Sequence, residues 1–175
     1  MWTFGSSAKE TELKFFHPFS ESSGYSKANI FEIKQGECLT QSKIIKREDA
    51  WRCIADGKTF DPCFAKHYGE QFDVICIATP WSYQSVQIKV PNSLQSAQHD
   101  ALDMSRTFPW AIELSNGEKC QAVDSNEYYD QLPVRYICER DEKLLGHVQR
   151  CENTWKMLQV NHHVIETVEI ERAWF

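Results

Sequence analysis

Seven cysteines, at positions 38, 53, 63, 76, 120, 138 and 151, constrain this chain more than any other feature. None forms a C-x2-C pair, the usual mark of a structural zinc site or a redox dithiol. Separated mostly by ~10–20 residues, they have the spacing of staples between neighbouring strands. Cys120 and Cys138 flank the turn-rich stretch Asp124 to Pro133 and face each other if that stretch closes a hairpin. Cys63 and Cys76 likewise flank Lys66-His67-Tyr68-Gly69, and Cys38 and Cys53 remain as the third pair. Cys151 is then left as a free thiol. A closed loop of ~15 residues stabilises a fold by about 3 kcal/mol in the chain-entropy description.

Disulfides need an oxidising compartment, so the expectation is a secreted or periplasmic protein. The alternative is a cytosolic chain using Cys as a small buried hydrophobe. Met1-Trp2-Thr3-Phe4 lacks the basic and apolar regions of an export signal, so the chain is expected to be a processed form. No run approaches the ~18 apolar residues of a membrane-crossing helix. Nineteen Lys and Arg against 25 Asp and Glu give a net charge of -6, which argues against a nucleic-acid partner.

The hydrophobic pattern is that of short strands. Residues 1–36 read as an N-terminal arm, partly extended and rich in serine, with a first strand over Asn29 to Ile33. Its cluster Phe15-Phe16-His17-Pro18-Phe19 should dock on the body, because exposed Phe side chains are unfavourable. Residues 37–175 read as a single disulfide-stapled, β-rich domain. One or two short helices are expected: over Ser42 to Ile54, with Lys46-Arg47-Glu48-Asp49 on the wet side, and within Pro91 to Ser105. Asp56-Gly57 and Asp61-Pro62 are turn signals.

Strands are expected over Phe72–Ala78, Ser85–Val90, Val134–Cys138 and Leu144–Val148. The sharpest expectation is the hairpin at Asn116-Gly117. A two-residue loop would set Ile112 against Gln121 and Glu113 against Cys120, mixing apolar with polar. A three-residue loop, Ser115-Asn116-Gly117, instead sets Leu114 against Glu118, Ile112 against Cys120 and Trp110 against Ala122. Gly117 then takes the left-handed bulge position. A last hairpin runs from Trp155–Val160 to Val164–Phe175 through Asn161-His162-His163. The fold class is mainly β with minor α, an antiparallel barrel-like or sandwich domain.

No catalytic signature is intact: there is no G-x-S-x-G, H-E-x-x-H or phosphate-binding Gly-rich loop. Cys151 with His147 four residues earlier is a weak nucleophile–base pair lacking an orienting third group. His67 with Glu70 and Asp73 has loose metal-ligand spacing, and no metal or cofactor is implied. Trp51, Trp110 and Trp174 fit core positions, whereas Trp81 and Tyr83 in Thr79-Pro80-Trp81-Ser82-Tyr83 fit a loop that meets ligand. Those two and the turn histidines His162 and His163 are the candidate binding residues. Their partner would be a protein, an envelope glycan or a small molecule.

Ala50-Trp51-Arg52-Cys53, Asp61-Pro62-Cys63-Phe64, Cys76, Pro109-Trp110-Ala111, Gly117, Cys120, Tyr136-Ile137-Cys138 and Ala173-Trp174-Phe175 resemble an uncharacterised family of exported bacterial domains. The resemblance covers residues 36–175 and implies export and disulfides, with no activity attached. The expected function is therefore a non-catalytic binding or interaction module of the cell envelope or secretome. The alternatives are a small secreted hydrolase with a loop-assembled His or carboxylate site, and a secreted inhibitor or host-directed virulence factor.

Overall fold

The computed structural model describes residues 9–19, 30–66 and 69–175. The serine-rich parts of the arm (1–8 and 20–29) and His67-Tyr68, with the metal candidate His67, lie outside the described residues. Every regular element described is a strand. β1 (Glu12–Lys14) comes first, then β2 (Ile30–Gln35), β3 (Glu37–Gln41), β4 (Ala50–Ala55), β5 (Lys58–Ala65), β6 (Asp73–Cys76) and β7 (Ser85–Lys89). β8 (Ala111–Leu114), β9 (Lys119–Ala122), β10 (Tyr128–Tyr129), β11 (Leu132–Cys138), β12 (Lys143–Gln149), β13 (Lys156–Asn161) and β14 (Val164–Trp174) follow. The chain forms two compact units: Phe15–Trp110 with Phe175, and Met1–Lys14 with Ala111–Trp174.

The unit of Phe15–Trp110 is a six-stranded sheet in the order β2-β7-β6-β5-β4-β3. Its two outer strands are consecutive pieces of chain, because only Gly36 separates β2 from β3. The Gly36 amide donates to Lys89 O at 3.0 Å, so one bent segment borders β7 on one side and β4 on the other. A Cβ at Gly36 would lie 2.4 Å from Ile54 O and 2.9 Å from Ile88 Cγ2, so only glycine fits this bend. Trp51, Cys53, Cys63, Val74, Cys76 and Ile88 form one buried cluster. Cys38–Cys53 and Cys63–Cys76 are disulfides between directly opposed residues of adjacent strands. A second aromatic cluster joins Phe16, Phe64 and Trp110, with ring centroids 5.3–5.4 Å apart, so the arm's Phe16 does dock.

Four expectations fail in this unit. The segment 42–54 is a turn followed by β4, not a helix. Ser42 Oγ accepts from the amides of Ile44 and Ile45, and strand pairing on both sides of β4 then buries Trp51 and Cys53. Local helix propensity yields to these tertiary bonds. Nor is the charged run wholly on the wet side: Arg47 and Asp49 form a buried ion pair, side chains 4% and 5% exposed, with the guanidinium 4.6 Å from the Phe64 ring centroid. Residues 91–105 form turns because their polar groups bond elsewhere. Leu94 N donates to Gln71 O, Leu102 N to Glu48 Oε2, and Gln41 exchanges bonds with the Asp100 backbone. Finally, Asp61-Pro62, expected as a turn, is a cis peptide inside β5. A bulge there sets Asp61 and Pro62 outside the regular pairing, where proline's missing N–H leaves no ladder bond unmade.

The unit of Met1–Lys14 and Ala111–Trp174 is a closed six-stranded barrel. Its order is β14-β13-β12-β11-β9-β8, and β8 pairs back onto β14. β1 lies parallel to the end of β14, and Thr11 ties it down, its hydroxyl donating to Ile170 O at 2.6 Å. The β8–β9 hairpin has the expected three-residue loop and register, with Ile112 opposite Cys120, Glu113 opposite Lys119 and Gly117 at φ +85°. Cys120 and Cys138 are opposed and disulfide-bonded. The three bonds are thus the three pairs selected from spacing, and Cys151 carries a free, exposed thiol.

Candidate functional site

The two faces of the β11–β12–β13 ladder have different roles. Tyr136, Leu144, Met157 and Gln159 alternate onto the sealed inner face, each almost wholly buried. Val134, Leu145 and Val160 point the other way, where Tyr129, Leu132 and Leu158 pack on them. The β10–β11 hairpin is therefore laid over the outer face by apolar contact. A Glu127–Lys143 ion pair adds a charged tie there.

That docking brings two hairpin tips together. Asp130-Gln131 joins β10 to β11, with φ of 46° and 65°. His162-His163 joins β13 to β14, with φ of 45° and 68°, so the expected three-residue turn is a two-residue one. Both tips have the type I′ form, which right-handed strand twist favours and which Asn-Gly or Asp-Gly fills most cheaply. Neither tip contains glycine. The tips meet where Tyr129 Oη lies 3.4 Å from His163 Nδ1. Asn161 Oδ1 and His162 Nδ1 form a short hydrogen bond beside them. Tyr128 is 66% exposed. The result is a surface carrying two imidazoles with amide and carboxyl groups around them, and an exposed phenol at Tyr128 on the adjoining strand. It can stack on a flat apolar ring face and exchange hydrogen bonds around its rim.

The candidates from sequence fall in different units. His162 and His163 are at this tip of the barrel. Trp81 and Tyr83 belong to the Phe15–Trp110 unit, in a turn closed by Ser82 N to Thr79 O at 3.1 Å. Tyr83 is 86% exposed and Trp81 half-buried, whereas Trp51 and Trp110 are buried. The sequence marks Asp124 to Pro133 as turn-rich, but it does not single out Tyr128 and Tyr129 within it, because no local pattern reports which of its side chains reaches His163. Among the described residues no three His, Cys, Asp or Glu side chains gather to hold a metal ion, and Asp73 accepts from Gln87 Nε2 at 2.7 Å.

Behind the tips, toward the inner face, sits a second polar group. Gln159 is 3% exposed and its Nε2 donates to Glu118 Oε2 at 3.0 Å. Glu118 is in hydrogen-bond contact with Glu142. Burial first, and Glu142 second, push the Glu118 carboxyl above the usual carboxylate range. Glu118 in turn is the main cause holding Glu142 below it. Two carboxyls driven apart in this way match the acid–base division of labour of hydrolytic sites.

Compared with known protein families, curated proteins and solved structures, the chain matches none.

Proposed function

We propose that this protein is an exported, non-catalytic binding module of the bacterial cell envelope or secretome, and that its barrel tips bind glycan. The observation that carries the reading is the Tyr129–His163 contact between two tips built from non-glycine left-handed residues. Such residues are less stable than glycine in this conformation by about 1–2 kcal/mol each, a cost that binding sites commonly retain. Tyr128 supplies the ring face, and His162, His163 and Gln131 supply the surrounding polar groups. Trp81 and Tyr83 form a separate candidate contact in the other unit. Three disulfides fit an oxidising compartment, and no helix among the described residues is long and apolar enough to cross a membrane. The Cys, Trp and Pro pattern that resembles exported bacterial domains supports the same compartment.

Co-sedimentation with purified cell-wall polysaccharide tests the reading. The intact protein should bind, and Tyr128→Ala or His163→Ala should each weaken binding about tenfold, the scale of one lost stacking or hydrogen-bond anchor. Absence of binding, or equal binding by both variants, contradicts it.

One observation favours the second reading, a small secreted hydrolase: the Glu118–Glu142 carboxyl pair. Against it, Glu118 Oε1 and Glu142 Oε2 are buried away from solvent and hence from substrate. Release of reducing sugar ends from the bound polysaccharide, lost in Glu142→Gln, would select the hydrolase.

A further inference from the structure

The carboxyl pair has a consequence independent of any ligand. Glu118 follows the β8–β9 loop and Glu142 ends the β11–β12 turn. These two turns are clamped side by side: Glu139 N donates to Lys119 O at 3.0 Å, Cys138 N to Glu142 O at 2.8 Å, and the Cys120–Cys138 disulfide lies directly beneath. Leu114 N donates to Glu118 O at 2.8 Å, and Glu118 N to Asn116 Oδ1 at 2.9 Å, so the Glu118 backbone is fixed. Gln159, from β13, holds one of its carboxyl oxygens. The other, Glu118 Oε1, is buried, as is Glu142 Oε2, and neither accepts an N–H among the described residues. An ionised carboxylate only accepts hydrogen bonds. A contact between two carboxyls is therefore a bond only if a proton sits in it.

We propose that Glu118 and Glu142 share one proton and form an acid-set latch joining β9, β12 and β13 at this end of the barrel, fastened while the proton is held and loosened when it leaves to solvent. The charged groups around the pair are Arg140 and His162 beside Glu142, Lys119 next to Glu118, and Glu139 and Asp141 in the same turn. Arg140 and His162 favour the charged form of Glu142, so the proton resides on Glu118. Glu118, raised in the fold, adds stability that is complete below its ordinary value of 4.5 and disappears as pH climbs through the raised one. Glu142, lowered in the fold, adds stability that is complete above 4.5 and disappears as pH falls through the lowered one. The latch is therefore tightest in mild acid and opens toward neutral and alkaline pH, when two facing carboxylates repel.

The test uses the intact oxidised protein and Glu118→Gln. The glutamine amide donates to Glu142 and its oxygen accepts from Gln159, copying the protonated state permanently. Hydrogen exchange, corrected for intrinsic rates, should show residues 115–119 and 139–143 opening at least about tenfold more at about pH 8 than at about pH 5 in the natural protein. Glu118→Gln should abolish that rise and melt a few degrees higher at about pH 8. Unchanged opening across this range, or a variant that melts lower at about pH 8, overturns the latch. Should the variant not fold, infrared spectra of the natural protein decide. A carboxyl band that titrates at higher pH than the carboxyls of the unfolded chain supports the shared proton, and one that titrates together with them overturns it.

Discussion

Tyr129 and His163 belong to different hairpins, and the phenol oxygen of one lies 3.4 Å from Nδ1 of the other. This contact ties the tip of β10–β11 to the tip of β13–β14. Both turns are built without glycine. Replacing His162-His163 by Asn-Gly should therefore separate stability from recognition. The double variant is expected to be about 1 kcal/mol more stable in urea unfolding, through relief of two left-handed residues, and to lose glycan binding. A variant that binds normally would remove the tip from the site.

Gly36 sits where one bent segment borders both β4 and β7. An added methyl would lie 2.4 Å from Ile54 O and 3.0 Å from Ala55 Cβ, both anchored in β4. Gly36→Ala should destabilise the protein by about 1–3 kcal/mol, the usual penalty of overpacking, read from the urea midpoint. An unchanged midpoint would mean that the bend relaxes freely.

The buried Arg47–Asp49 pair predicts a non-additive response. The guanidinium donates to Asp49 through Nε at 2.5 Å and Nη2 at 2.6 Å while lying over Phe64. Asp49→Ala leaves that charge buried and unpaired, so a loss of about 3–5 kcal/mol is expected. The double change Arg47→Met with Asp49→Ala should recover much of it, because an apolar side chain needs no partner. Additive losses in a double-mutant cycle would argue against the pair.

Much of the fold could be read from the chain because β structure leaves a period-2 trace where one face is buried. Ile112, Leu114, Cys120 and Ala122 could share a face only with a three-residue loop, so register followed from polarity alone. Cysteine spacing worked for a related reason, since each pair joins two neighbouring antiparallel strands. The helix expected over 42–54 failed because Ser42 bonds to Asp61, Arg47 packs on Phe64 and β4 pairs on both sides, contacts remote in sequence that no local pattern reports. The candidate site was half legible. His162 and His163 stood out as a polar turn, but Tyr128 and Tyr129 did not, since the contacts that place them come from the outer face of β11–β13. No local pattern marks Glu118 and Glu142 as neighbours. Only the clamping of two turns by Cys120–Cys138 brings them together.

The Cys120–Cys138 bond closes a loop with a sequence separation of 18 residues. Replacing both cysteines by alanine should lower stability by about 3 kcal/mol. The loss should appear in the hydrogen exchange of β9 and β11 before that of β4 and β5.

Three covalent bonds hold this β-rich fold, the chemistry on which the proposed oxidising compartment rests. Thiol titration of the denatured, unreduced protein measures it directly. One reactive thiol per chain, that of Cys151, is predicted. Seven would mean that no disulfide had formed, contradicting both the stapled fold and the proposal of export.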